Sequence, residues 1–425
     1  MTQYEITAPS RFNHTIKLPA SKSMSNRALV INALSGGKSS PENLSDCDDT
    51  QVVIDAFRDM PRVIDVKASG TAMRFLTAYL AVCGGEHVIT GTARMKNRPI
   101  GPLVDALRYL GADVEYVGRE GFPPLRIKGK PLKGGCLEMP GNVSSQYISA
   151  LLMIGPVLKN GLELKLTGTL ASRSYIDLTL CTMQQFGAEA EWSDIDTLTV
   201  KPTPYQPHEY YIESDWSAAS YWYEILALSS HRDNTFVLKG LTDGSKQGDS
   251  VARYLFSLLS VKTVVENGDH PHTDGMRITR HVRTLPKLEY DFINSPDLAQ
   301  TFVVCCAVLD IPFLFTGLSS LQIKETNRIE ALKTELRKLG YVIKDLNGSA
   351  LFWDGEKCEP SLEPIDTYDD HRMAMAFAPA AIKFPGLRIN HPEVVSKSYP
   401  HFWDDLRHAG FQIKEINAVH HIQPL

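Results

Sequence analysis

Four stretches of the chain set charged or hydroxyl side chains just ahead of apolar runs, where a helix would begin. In the first, Lys22, Ser23 and Arg27 open SKSMSNRALVINAL. The free N–H groups of a helix start carry about half a positive charge, and with added cations they make a phosphate or carboxylate site. In the second, RMKNRPIG (Arg94–Gly101), three cations precede a proline, and one of them can clamp a carboxylate through two parallel hydrogen bonds. The third is Ser144-Ser145-Gln146, whose consecutive hydroxyls and amide suit the oxygens of a phosphate or a polyol. The fourth gathers Asp297 in NSPDLAQ, KETNR (Lys324–Arg328), DDHR (Asp369–Arg372) and Lys397. Glu325 and Arg328 are three apart and can share one helical face. His371 and Arg372 stand at the mouth of the apolar run MAMAFA, where a buried unpaired charge is costly and an anionic partner is therefore expected.

Taken singly, these stretches also read as helix caps, a basic loop or surface ion pairs. Together they describe a site rich in Lys and Arg, with two carboxylates, Asp297 and Glu325, and no metal. That chemistry suits two anionic small molecules held together while protons move.

The elements that must position these residues recur. Six segments pass from a small or polar cluster straight into an apolar, helix-like run, starting at Ser21, Ser69, Gly141, Ser214, Ser295 and Tyr368. Most are followed by a β-like stretch such as HVITGTA, LELKLTG or TFVLKGL. Then comes an amphipathic helix: LVDALRYLGADVEY, IDLTLCTMQQFGAEAEW, IEALKTELRKLGYVIKD or HFWDDLRHAGFQIKE. A glycine near the end of each marks the helix stop. The starts recur about every 50–80 residues, the mark of a repeated supersecondary unit. One such unit cannot bury its own apolar face, so several must pack around shared helices. Six units divide into two groups of three, and the polar, proline-rich stretch Lys201–Asp215 is the expected linker.

Composition limits the function. The 425 residues suggest two or three domains. With 43% hydrophobic and 22% charged residues the chain is ordinary globular protein. A net charge of −5 argues against a general nucleic-acid binder, and no apolar run approaches the roughly 20 residues of a membrane helix. The start shows no basic-then-apolar leader, so no secretory signal is expected. Seven scattered cysteines without a C-x-x-C pair point to a reducing cytoplasm, with neither a disulfide framework nor zinc. SGGKSS (Ser35–Ser40) lacks the first glycine of a P-loop, Asn32 standing in its place, and reads as a helix-ending turn. Asp269, His270 and His272 lie in a loop without metal-ligand spacing, and His420 and His421 fall in a solvated tail.

LPASKSMSNRAL, SGTAMR, RMKNRPIGPLVDAL, GNVSSQY, SPDLA, KETNRIEAL, YDDHRMAMAF and KSYPHFW, in that order and over nearly the whole chain, resemble the 5-enolpyruvylshikimate-3-phosphate synthase family. The resemblance implies an α/β fold of two similar domains. Each would hold three βαβαββ-type repeats packed as an inside-out α/β barrel, the two joined by a double hinge. The first domain would span 20–212, and the second 1–19 plus 213–425. It implies a monomer without cofactor or metal, and a site in a cleft that closes on substrate. The implied reaction moves the enolpyruvyl group of phosphoenolpyruvate to the 5-hydroxyl of shikimate 3-phosphate and releases phosphate.

Position by position, the resemblance gives Lys22, Ser23, Arg27, Ser144, Ser145, Ser172, Tyr175, Asp297 and Lys324 to shikimate 3-phosphate. It gives Lys22, Gly70, Arg98, Gln146, Arg328, Arg372 and Lys397 to phosphoenolpyruvate. Asp297 and Glu325 match the proton-transfer pair, with Lys22 and His371 beside them as catalytic positions. The chain departs from the family pattern at Ala20, Ala68, Phe75 and Asn327. Ser320 stands where the family has an asparagine that contacts shikimate 3-phosphate, and a hairpin is shortened between Asp49 and Gly70.

Overall fold

The computed structural model describes residues 2–37, 41–268, 272–281 and 285–417. Lys38–Ser40 of the SGGKSS turn, Asp269, His270 and the two histidines of the tail lie outside them. The chain divides into two compact units. The first is Ala20–Glu213 with Lys246–Gly248, and the second is the chain up to Pro19, Ser214–Ser245 and the chain from Asp249 onward.

The first unit holds α1 (Lys22–Leu34), α2 (Asp48–Asp59), α3 (Gly70–Val82), α4 (Gly101–Tyr109), α5 (Ser145–Ile154) and α6 (Arg173–Gln185). α3 (GTAMRFLTAYLAV) and α5 (SQYISALLMI) are apolar on nearly every side, and a helix of that kind has to be buried. Accordingly α1, α3 and α5 pack on one another, while α4 and α6 flank α5.

Two four-stranded sheets enclose these helices, and both follow one scheme. In the first, Val63–Asp65 runs parallel to Gly85–Thr90. Leu125–Gly129 and then Asp113–Tyr116 add antiparallel. In the second, the matching strands are Gly135–Pro140, Leu162–Thr167, Thr197–Val200 and Ala190–Trp192. Leu162, Leu164 and Leu166 turn inward while Glu163 and Lys165 turn out, the two-residue period of a half-buried strand. Gly129 lets its strand pass against the carbonyl of Cys83, where a Cβ would collide with the oxygen. The rest of this unit holds α1, α2 and, among the described residues, one parallel bridge, Glu42–Tyr211.

The second unit holds α7 (Trp216–Leu228), α8 (Ala252–Leu258), α9 (Ala299–Val308), α10 (Arg328–Lys338), α11 (His371–Phe377) and α12 (Phe402–His408). Every residue of α7, α9 and α11 is buried except Ser217. α9 packs on both α7 and α11. Phe256, Phe292, Phe302 and Phe315 pack around this core in tilted and edge-to-face pairs.

The same sheet scheme appears twice more. One sheet runs Asn13–Lys17, Thr235–Lys239, Gly275–Arg280, Val261–Glu266, and the other Leu288–Asp291, Phe313–Thr316, Ala350–Trp353, Lys344–Leu346. A third sheet has Thr2–Thr7 between Leu387–Asn390 and Gln412–Asn417, both antiparallel to it, and Ile365 adds a parallel bridge to Ile389. In each scheme a buried helix precedes the second strand and an outer helix follows it. The fold is thus mixed α/β with several sheets built on one plan. Sequence reading found ten of the twelve helices among the described residues. It missed α2, which opens on Asp48-Asp49 rather than on an apolar run, and α8, a seven-residue helix entered through a 3-10 turn.

Candidate functional site

In the first unit the polar residues lie at the starts of the buried helices, because short polar side chains cap them. Ser21, Ser69 and Ser144 accept from the backbone N–H of Met24, Ala72 and Gln146 at 3.4, 3.2 and 3.3 Å. Side chains link these three starts. Lys22 Nζ donates to Asp49 Oδ2 at 3.0 Å, and Ser69 Oγ donates to the Asp49 carbonyl at 3.5 Å. Gln146 Nε2 donates to Thr71 Oγ1 at 3.1 Å. Gly70, the first residue of α3, faces the guanidinium of Arg98, and a Cβ on it would lie 2.7 Å from Arg98 Nη1. The Arg98 loop is itself fixed. Arg74, buried, donates to the carbonyls of Gly70 and Pro99, and Tyr147 Oη donates to Pro99 O at 2.5 Å.

Arg27 has a different setting. It is 3% exposed, and donates to Thr179 Oγ1 (2.7 Å), Ser23 O (2.9 Å), Ser149 Oγ (3.3 Å) and Tyr175 O (3.1 Å). Its guanidinium lies 5.4 Å from the centre of the Phe75 ring, which gives the unusual Phe75 a role as a cation–π face. Burial pushes its pKa down to about 10. Arg27 thus ties α1 to α5 and α6. Ser172 is buried in the left-handed region (φ 58°) at the cap of α6, and Tyr175 follows one turn on. Ser145 is the half-buried first residue of α5.

In the second unit Arg328 is the hub. Its side chain is 1% exposed and meets three carboxylates. Nε and Nη2 grip Asp370 at 2.7 and 3.2 Å, Nη1 reaches Asp297 at 3.2 Å, and Nη2 reaches Glu325 at 2.9 Å. Burial opposes its charge, but Asp370, Glu325 and Asp297 outweigh that and hold its pKa above the ordinary arginine value. Arg372 Nη2 lies 3.0 Å from Asp297 Oδ2, and its Nη1 donates to Tyr221 Oη at 3.2 Å. Lys324 stands 3.6 Å from Asp297, and Lys397 3.4 Å from Glu325. His371 is buried with Nδ1 3.7 Å from Asp370 Oδ1. Ser320 lies in the short 3-10 helix Ser319–Ile323 just ahead of this group.

Local sequence explains part of this. Asn327 caps α10, accepting from Glu330 N at 3.3 Å, so that Arg328 becomes the first helical residue. Glu325 therefore precedes the helix. It meets Arg328 across the cap rather than along one face, because the extended Asn327 (φ −72°, ψ 91°) turns the chain there. Asp370 caps α11 through Arg372 N at 3.0 Å.

Each unit thus brings its own predicted residues together. Motif reading passed over Asp370 as a site residue, although DDHR contains it. It also passed over Asp49, Thr71, Arg74 and Tyr221. Asp370 alone carried a visible signal, as a cap before His-Arg; the others are recognisable only from their partners. The first group, cationic and hydroxyl-rich at helix starts, can hold a phosphate and a hydroxylated body. The second, carboxylates interleaved with cations, can move protons beside an anion. Among the described residues there is no His, Cys, Asp and Glu cluster able to hold a metal, and no helix long and apolar enough to cross a membrane.

Sheets on one repeated plan, with cations and hydroxyls at the starts of the buried helices, define a class of mixed α/β proteins, and comparisons narrow it. In fold the chain is similar to the EPSP synthase of Acinetobacter baumannii (TM-score 0.76, 21% identity, covering 98% of this chain and all of that one). It is also similar to the enolpyruvyl transferase NikO of Streptomyces tendae (TM-score 0.74, 17% identity, 98% and 99%). In sequence it is 59% identical over 413 residues to the 3-phosphoshikimate 1-carboxyvinyltransferase of Bacteroides fragilis, covering 97% of this chain and 99% of that protein. It is 35% identical to the protein of that name from Aliivibrio fischeri, covering 94% and 97%. The family model of EPSP synthase (3-phosphoshikimate 1-carboxyvinyltransferase) matches residues 6–63 and 59–406. The chain belongs to the EPSP synthase family.

Proposed function

We propose that this chain transfers the enolpyruvyl group of phosphoenolpyruvate to the 5-hydroxyl of shikimate 3-phosphate and releases phosphate, the penultimate step towards chorismate. The observation that carries the reading is the Arg328 network, which sets two carboxylates suited to proton transfer among four cations in a chain of this family.

In this reading the hydroxyls of Ser23, Ser144, Ser145 and Ser172, with Lys22, Arg27, Tyr175 and Lys324, hold shikimate 3-phosphate. Gly70, Arg98, Gln146, Arg328, Arg372 and Lys397 hold phosphoenolpyruvate, and Lys22 touches both. C2 of phosphoenolpyruvate is unreactive until C3 gains a proton. Glu325 delivers it to C3 while Asp297 takes the proton of the 5-hydroxyl, whose oxygen bonds to C2. The tetrahedral adduct then loses a C3 proton and expels phosphate, restoring the double bond. Each acid or base role is worth about 10²–10⁴-fold in rate. Pairing the reactants removes up to about 7–11 kcal/mol of bimolecular entropy cost.

The same reading takes the two units as the two domains of the transferase, each an inside-out barrel of three repeats. They are joined by a double hinge near residues 19 and 213 and close on the ligands to exclude water. It makes the protein a cytoplasmic monomer that needs no cofactor. The test is phosphate release measured with each substrate alone and with both. Signal from the pair only is expected; release from phosphoenolpyruvate alone, or none from the pair, refutes the reaction.

A further inference from the structure

We propose that Glu335 is a positioning residue: by holding Tyr368 it fixes a strained turn that aims Asp370, and through Asp370 the two arginines Arg328 and Arg372. The inference rests on the reaction proposed above, which gives both arginines to phosphoenolpyruvate.

The turn runs from Thr367 to Asp370 and is closed by Asp370 N, which donates to Thr367 O at 2.9 Å. Inside it, Tyr368 and Asp369 both carry a positive φ, 54° and 55°. Aspartate enters that left-handed region fairly readily, but a bulky tyrosine there is an outlier. Such backbone persists only where its surroundings over-determine it. The next residue is the buried Asp370, whose two oxygens reach both arginines. Oδ2 accepts from Arg328 Nε at 2.7 Å, and Oδ1 accepts from Arg328 Nη2 at 3.2 Å and from Arg372 N at 3.0 Å. A turn that relaxed towards negative φ would swing this carboxylate off both partners.

Glu335 supplies the hold. It is fully buried and stands two helical turns beyond Arg328 on the same face of α10. Tyr368 Oη donates to its Oε1 at 2.6 Å. Asp366 N donates to its Oε2 at 3.0 Å, and Lys338 Nζ lies 2.7 Å from that same oxygen. Lys338 also donates to Pro364 O at 2.9 Å, which fixes the chain as it enters the turn. One helix therefore grips the turn on both sides, through Glu335 at Asp366 and Tyr368 and through Arg328 at Asp370. Tyr368 is 37% exposed, so its hydroxyl and not burial of its ring is the anchor. Glu335 touches neither substrate in the proposed reaction; its effect reaches them only through Asp370.

The test uses the full chain, with kcat and both KM values from phosphate release and thermal melting beside them. Tyr368→Phe removes the anchoring hydroxyl and, at a partly exposed ring, opens no core cavity. It is expected to raise the KM for phosphoenolpyruvate about tenfold and to leave that for shikimate 3-phosphate within about twofold. Adding Asp369→Gly, which accepts a positive φ at no steric cost, is expected to bring the raised KM back to within about threefold of the parent. Glu335→Ala is expected to show the same split as Tyr368→Phe. Glu335→Gln keeps an oxygen for Asp366 N and an N–H for Tyr368 Oη, and is expected to lie near the parent. Parent KM values in Tyr368→Phe overturn the proposal, and so does a double variant that recovers nothing. A lower kcat or melting temperature with both KM values unchanged also overturns it, because that is the mark of a structural role alone. If Glu335→Ala does not fold, the two Tyr368 variants decide. Each of these results leaves the parent active; a parent that releases no phosphate from the substrate pair refutes the reaction itself.

Discussion

Arg328 shows how a buried charge is tolerated. Taking a guanidinium out of water costs several kcal/mol, and only well-placed opposite charges offset it. Asp370, Glu325 and Asp297 supply them. The two carboxylates given to proton transfer are therefore also structural partners of a buried cation. Glu325→Gln keeps the shape and an acceptor for Arg328 but cannot shuttle a proton. It is expected to lower kcat by about 10²–10⁴ with a modest effect on shikimate 3-phosphate affinity. Near-normal turnover removes Glu325 from the mechanism. Gly70 offers a second test, because a Cβ there meets the flexible end of Arg98 at 2.7 Å and not backbone. Gly70→Ala is expected to fold normally and displace that guanidinium. The KM for phosphoenolpyruvate should rise about tenfold while that for shikimate 3-phosphate stays within about twofold. Equal KM values for parent and variant would separate Arg98 from phosphoenolpyruvate.

Helix starts carry stability in this fold and, in the proposed reaction, chemistry as well. A cap orders the first turn, and the first turn presents a residue that the proposed reaction uses: Lys22 after Ser21, Gly70 after Ser69, Arg328 after Asn327, His371 and Arg372 after Asp370. Asn327 stands where the family pattern has aspartate, and the two residues cap about equally well. Asn327→Ala is expected to cost about 0.5–2 kcal/mol, a fall of about 2–4 °C per kcal/mol for a unit of this size. Asn327→Asp should leave the melting temperature within about 2 °C of the parent. Thermal melting of the two variants beside the parent decides it; equal melting of the alanine variant would deny the cap its role. Ser69→Ala or Ser144→Ala would disturb the first unit by the same logic, with Arg98 and Gln146 as the side chains affected.

At the scale of the whole molecule, acidic groups inside the second unit set how stability follows pH. Glu224 is fully buried in α7, neither carboxyl oxygen has a hydrogen-bond partner among the described residues, and burial raises its pKa well above normal. Asp249 is raised in the same direction. For a carboxyl raised in the folded state, the unfolded chain ionises first as pH rises. Protons bound to the native form then exceed those bound to the unfolded one, and stability falls with pH from the ordinary carboxylate range up to the raised value. The protein is therefore expected to lose stability as pH rises from the ordinary carboxylate range, up to about 7 for Asp249 and up to its own raised value for Glu224, against the gain from its many ion pairs. Glu224→Met fills similar space without an unsatisfied polar group. It should raise the melting temperature at pH 8 by a few degrees, about 1–3 kcal/mol, and flatten the decline with pH. Calorimetry across that range measures both, and a parallel curve at lower temperature would contradict the account.

The sequence by itself determined ten of the helices among the described residues, six from a small or polar cluster running into an apolar stretch and four from amphipathic runs with a glycine near their end, and the residue types available at each start. Capping and amphipathic burial are read within a turn or two of chain, so they are visible in a string of letters. It also determined the family, because the motifs keep their order along nearly the whole chain. Only the tertiary structure decided that Asp370, 42 residues from Arg328, is its closest carboxylate, that Asp49 and not a neighbour holds Lys22, and that Arg27 is committed to Thr179 and Ser149. It alone joined the strand Asn13–Lys17 to Thr235–Lys239 across more than two hundred residues. Such pairings are selected by how well buried polar groups are satisfied and apolar faces covered in the folded chain, and neither is a property of any local stretch.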